Sequence, residues 1–222
     1  STDYLRTLIA LKLQALTVSE EHPEGVNYLD HIVTVATHSH SQPGRFWHLV
    51  PELGLGTFGY GTFSKEMVNR YAKSAAWAIK DALDGIEPAR FGWSIIDNFD
   101  PDGRIHSNRR GGDFEVIDDR MMVWRVEDRA GKPLAGLVNF AVHGTHMEET
   151  IVSGDVGGAI EMAASTTLSS RSGHQVPVLF ANGNAGNVAP RGDDVIAHPS
   201  WGKIQVVGVR TAEHFYRAWE MA

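Results

Sequence analysis

Leu5, Leu8, Ile9, Leu13 and Leu16 recur every three or four residues behind Thr2-Asp3, the spacing of an amphipathic helix laid on a sheet. After the Pro23-Glu24-Gly25 break, the β-branched run of Ile32, Val33 and Val35 predicts a buried strand ending near Thr37, which makes residues 38–44 its exit loop. Residues 45–63 are rich in glycine and carry Phe46, Trp47, Phe58 and Tyr60, the composition of an ordered loop beside a binding surface. Ser64 caps a helix in which Met67, Tyr71, Ala75, Ile79 and Leu83 return every four residues, and Gly85 with Pro88 stops it. Strands are predicted over 91–96, 121–126, 134–142 and 176–181. The second and third of these form a hairpin about the 128–132 turn. Helices are predicted over 157–168 and from Ser200 to the final residue. Helices alternating with strands, with one hairpin inserted, predict an α/β fold: a mixed β-sheet covered by helices.

Composition narrows the partners. With 222 residues, 42% of them hydrophobic and 21% charged, the chain suits one sizeable core. Its net charge of -7, with Arg109-Arg110 as its one basic pair, argues against nucleic acid and favours a small-molecule or lipid partner. Cysteine is absent, so thiolate ligands and disulfides are excluded while the compartment stays open. No run of eighteen apolar residues occurs, and Asp3, Arg6 and Lys12 interrupt the opening stretch, which reads as neither a membrane span nor a signal peptide.

Three segments carry chemistry, each at the end of a predicted strand. In Thr37-His38-Ser39-His40-Ser41-Gln42-Pro43-Gly44, residues two apart in extended chain point the same way, so both imidazoles can converge on one ion or substrate atom. Two exposed loop histidines are an equal reading of that spacing. In Asn139-Phe140-Ala141-Val142-His143-Gly144, a histidine again leaves an apolar strand; alone, it reads as a core histidine satisfied by a carbonyl. Functional groups gather at the carboxyl ends of strands in open α/β sheets, so His38 and His143 can share one metal site there. The third segment, from Leu179 to Pro190, runs into a Gly/Asn loop whose Gly183 and Gly186 permit close backbone approach. It can present N–H groups to a developing negative charge, or be a tight turn. The Lys-Ser/Thr of a phosphate-binding loop is missing from it.

In this order the segments resemble the neutral/alkaline (non-lysosomal) ceramidase family, zinc-dependent amidases that hydrolyse ceramide. The family's Thr-His-Thr-His-Ser-Gly-Pro-Gly is similar to residues 37–44, with Ser39 and Gln42 as departures. Its Phe-Ala-x-His-Pro is similar to residues 140–144, with Gly144 in place of proline. Its Asn-Arg dipeptide matches Asn108-Arg109, and its Ser-Asp before a helix is similar to Gly154-Asp155. The resemblance implies zinc as cofactor and His38 and His143 as ligands. It implies His40 as an acid/base or oxyanion contact, and Arg109, beside Asn108, as a polar group facing the site. Asp155 reads equally as a helix cap. The family's Gly-Asp-Val-Ser-Pro becomes Gly186-Asn187-Val188-Ala189-Pro190, so the serine proposed there as a catalytic group is Ala189. A metal-activated water needs no serine.

The family completes its zinc with a Glu and a Tyr from further along, and nothing after His198 resembles that region. The expectation is therefore part of a single metal-dependent hydrolase catalytic domain spanning 1–222, truncated at both ends. The resemblance also suggests a secreted or periplasmic setting and allows peripheral membrane contact. Two alternatives stand beside ceramide-type amide hydrolysis: a metallohydrolase for another ester, amide or glycan, and a non-catalytic homologue that binds lipid or glycan. The metallo-β-lactamase pattern His-x-His-x-Asp-His is not met, since Gln42 and Pro43 occupy the last two places.

Overall fold

A computed structural model describes residues 2–42, 63–111, 116–192 and 200–222. The aromatic loop of Phe46, Trp47, Phe58 and Tyr60 lies outside the described residues. Those described form two compact units, one from 2–34 and 63–87, the other from 35–42 and 88–222.

In the first unit, α1 (Thr2–Leu16) buries Ile9, Ala10 and Leu13, and α2 (Lys65–Asp84) buries Val68, Ala72 and Ala76. The α2 start is the expected one: the Ser64 hydroxyl accepts from the Met67 amide at 3.3 Å. Its apolar stripe is broader than a four-residue repeat, because the neighbouring positions 68, 72 and 76 are the ones driven deepest.

The second unit is built on a mixed sheet of β1 (Arg90–Ile96), β3 (Met121–Glu127), β4 (Pro133–Phe140) and β5 (Val178–Asn182), in that spatial order. Neighbours pair antiparallel except β4 with β5, which run parallel. The parallel pair requires a crossover, and α3 (Asp155–Ser172) supplies it. One sheet face, carrying Val123, Val138, Phe140, Val178 and Phe180, is buried with α3 and α4 (Ser200–Met221). Gly208 lets those two helices touch, for a Cβ there would stand 2.6 Å from the Ala159 carbonyl oxygen. The outer edge of β5 is closed by α3 side chains: Val178 and Phe180 donate their amides to Ser165 Oγ and Glu161 Oε1. The opposite face exposes Phe91, Trp93, Ile95, Trp124 and Leu179.

Two elements differ from the sequence expectation. The run at 32–37 forms no strand and is not buried: Val33 and Val35 are exposed, and only Ser39 pairs, in an isolated parallel bridge with Gly144. β-Branched residues favour extended backbone, but a ladder also needs a partner edge, and α3 side chains occupy that of β5. The second is a small antiparallel sheet of β2 (His106–Asn108) and β6 (Val188–Pro190), too short to leave a periodic signal.

Candidate metal centre

His143 stands three residues beyond β4, where Ala141 and Val142 carry the chain out of the sheet. Its amide donates to the Val188 carbonyl at 3.1 Å and Gly183 donates to the Phe140 carbonyl at 2.9 Å, so the loop after β5 zips along this extension. The ring is buried, with Nδ1 2.6 Å from the Ala185 carbonyl oxygen and Nε2 3.0 Å from the Arg109 guanidinium. A carbonyl only accepts and a guanidinium only donates, so the ring is a neutral imidazole protonated on Nδ1, with its lone pair on Nε2. That tautomer suits a ligand whose second nitrogen is held by a carbonyl.

His38 and His40 arrive by another route. The extended-chain premise fails, since His38 has φ 59° and His40 lies in a turn. A left-handed φ is uncommon outside glycine and persists only where its surroundings hold it. Those surroundings are visible. Ser39 forms its bridge to Gly144, and the His40 amide donates to the Gly144 carbonyl at 3.0 Å. The Ser39 hydroxyl and the Gln42 side-chain amide both donate to the Ser153 carbonyl, at 3.2 and 2.7 Å. The two departures from the family motif therefore serve as ties. Gly144 is needed for the approach, as a Cβ on it would lie 2.8 Å from Ser39 Cα and 3.0 Å from the His38 carbonyl oxygen.

The outcome is convergence. Ring centroids of His38 and His143 are 4.3 Å apart, those of His38 and His40 5.0 Å, and those of His40 and His143 5.8 Å. One nitrogen from each of the three lies within 4.8 Å of the others. Two imidazole nitrogens on one tetrahedral zinc stand roughly 3.3 Å apart, so the donors fit an ion after side-chain shifts of about an ångström. Desolvation by the packed rings, then the charges of His40 and Arg109, holds His38 below the ordinary histidine range. Burial lowers His143 most, the Ala185 carbonyl acts against it, and the charges of His38, Arg109 and His40 lower it further. Neutral rings are the form that binds a metal.

The remaining candidates sort by what they touch. Arg109 reaches the cluster, tethered by its amide to the Asn187 carbonyl at 2.9 Å and by its guanidinium to the Gly186 carbonyl at 3.2 Å. Asn108 turns its Oδ1 to the amides of Arg110 and Gly111, shaping the turn that presents Arg109. Gly186 and Asn187 meet the site through carbonyls rather than N–H groups, and the Asn187 side chain donates to the Val116 carbonyl. Ala189 lies in β6, paired with Ser107. Asp155 is buried at φ 49° and accepts from the His146 and Met147 amides, each at 3.2 Å, tying the chain after His143 to the start of α3. Sequence reasoning missed Asn182 and the Ala185 carbonyl. A cue existed for Asn182, a polar residue closing an apolar strand, as His143 follows another. A groove of about 950 Å³ between α3 and α4 is lined by none of the three histidines.

The second unit thus brings together three imidazoles, one beyond the end of β4 and two from the turn at 38–40, a group that could hold a metal ion. Comparison with known proteins sharpens this. The chain is 28% identical over 199 residues to neutral ceramidase of Pseudomonas aeruginosa, covering 86% of this chain and 29% of that protein. The crystal structure of neutral ceramidase from the same organism superposes with a TM-score of 0.75 at 20% identity, over 97% of this chain and 34% of the other. A second structure, a ceramidase complexed with C2, gives 0.74 at 21% identity and the same coverage. No family model matches. The likeness to neutral ceramidase first carried by the motifs is thus borne out in sequence and in fold. The chain spans about a third of the length of these relatives.

Proposed function

We propose that residues 1–222 are part of a single hydrolase catalytic domain of the neutral ceramidase type, zinc-dependent and cleaving the amide of an N-acyl sphingolipid or related lipid. The observation that carries the proposal is the convergence of His38, His40 and His143 within 4.8 Å, in a chain similar to neutral ceramidase. His38 and His143 would hold the zinc, with the Ala185 carbonyl fixing the His143 tautomer. Zinc held there supplies Lewis acidity toward a carbonyl and acidifies water. His40, whose ring is furthest from that of His143, accepts a proton on the attacking side and returns it to the departing amine. Arg109 swings from His143 Nε2 and neutralises negative charge developing on the carbonyl oxygen. No described helix is long and apolar enough to cross a membrane.

One observation favours a second reading. Ala189 stands where the ceramidase resemblance implies a serine, and the neighbouring Asn187 side chain donates to the Val116 carbonyl, which supports a homologue that binds lipid without cleaving it. Elemental analysis of the protein purified without added metal tests the first reading, with His38→Ala in parallel. One zinc, lost in the variant, and release of fatty acid from an N-acyl sphingosine support the enzyme. Zinc without turnover, or no metal in either protein, overturns the enzyme reading and favours the non-catalytic binder.

A further inference from the structure

Asn182 sits at the last position of β5, opposite Phe140, the last residue of β4. Its side chain reaches across the gap where the two histidine-bearing segments leave the fold. Nδ2 donates to the Thr37 carbonyl at 3.0 Å and to the Val142 carbonyl at 2.8 Å, while Oδ1 accepts from the Val142 amide at 3.1 Å. Thr37 immediately precedes His38 and Val142 immediately precedes His143. A single amide therefore fastens the residue before each of two imidazoles whose centroids are 4.3 Å apart. Only one orientation of the amide satisfies this arrangement, because two carbonyls require N–H donors and one N–H requires an acceptor.

We propose that Asn182 is the positioning residue of the metal centre, setting the distance between His38 and His143 by pinning Thr37 and Val142 to one amide. The inference rests on the metal-centre reading of the three histidines. It also identifies a need that backbone pairing leaves unmet. Residues 32–38 form no strand, so no ladder holds Thr37, and the Ser39 to Gly144 bridge begins only beyond His38. Val142 lies past the end of β4, and the Asn182 amide satisfies both its N–H and its C=O. Aspartate has the same shape but would turn an acceptor toward two carbonyls.

The test compares Asn182→Asp with Asn139→Asp in the full chain. Asn139 donates a similar bond, to the Ala181 carbonyl at 2.8 Å on the same two strands, but touches neither histidine segment. Zinc titration by calorimetry should show Asn182→Asp binding about tenfold or more weakly than the parent, the scale of outer-shell losses at metal sites, with Asn139→Asp unchanged. In metal-free protein, histidine-ring 15N spectra should show the His38 and His143 signals moved by Asn182→Asp and those of His174 and His214 left in place. Should the aspartate variant not fold, Asn182→Ser removes the same two donors without adding charge and serves in its stead. A smaller loss of affinity, unmoved His38 and His143 rings, or an equal effect from Asn139→Asp overturns the proposal. If the parent takes up no zinc, the metal-centre reading fails and the ring spectra alone decide whether Asn182 positions the pair.

Discussion

The two arms of the histidine cluster are built on opposite plans. The His143 arm grows out of a central strand, is buried, and has both ring nitrogens contacted, by Ala185 and Arg109. The His38 and His40 arm belongs to no strand, is exposed, and takes its shape from a left-handed residue and from ties to Gly144, Ser153 and Asn182. One arm comes preassembled with the sheet. The other is placed against it, so the geometry of the site depends on tethers lying outside the histidines themselves.

Histidine replacement should separate the arms most sharply. His143→Ala and His38→Ala are both expected to abolish zinc binding, read by elemental analysis. Only His143→Ala should also destabilise the fold, by about 1–3 kcal/mol in urea denaturation, because it removes a buried ring and its hydrogen bond to the Ala185 carbonyl, which keeps the Val188 amide as a donor. His38→Ala should stay within about 0.5 kcal/mol, as exposed replacements do. Equal losses of stability would mean that the arms are not differently anchored.

Gly144→Ala attacks the seam between them. The new methyl would stand 2.8 Å from Ser39 Cα, a backbone atom that cannot rotate away. Zinc affinity should fall about 10–100-fold as the His38 arm is displaced, while secondary structure by circular dichroism is retained. Unchanged affinity would show that the seam tolerates opening.

Acid should act on both arms in the same direction. His38 and His143 are both held below the usual histidine pKa of about 6.5. The unfolded chain therefore takes up protons at a pH where the folded one resists them, and stability falls as pH drops below about 6.5 toward the folded values. Chemical denaturation of metal-free protein between pH 7 and 5 should show this fall, and His38→Ala should diminish it. A stability that rises with acid over that range would contradict the assignment.

The smallest effect on binding is expected from Arg109→Ala. Arg109 is exposed and its guanidinium contacts the lone-pair nitrogen of His143, so zinc should be retained, or held slightly tighter, while turnover of an amide substrate falls. A lost ion would move Arg109 from charge stabilisation to support of the metal. His40→Ala gives the companion measurement: retained zinc supports its role as proton carrier, and lost zinc makes it a ligand.

Much of the fold was legible. The helices at 65–84 and 200–221 and the hairpin of β3 and β4 repeat their apolar residues at the spacing of the element they form, and their ends coincide with Ser64, Gly85 and the 128–132 turn. The run at 32–37 was misread because β-branched composition reports a preference for extended backbone and says nothing of a partner edge. The histidines could be named from their order and their motifs. How His38 and His40 converge could not, because alternation in an extended chain gives way to a turn that begins at φ 59°.

The sequence by itself determined the long helices, the strands of the main sheet and the candidate ligands, since periodicity and side-chain chemistry are local properties. Tertiary structure alone decided the tautomer of His143, the approach allowed by Gly144 and the double grip of Asn182. Each depends on hydrogen bonds or van der Waals limits between residues from 34 to more than 100 positions apart, a separation at which no local pattern survives.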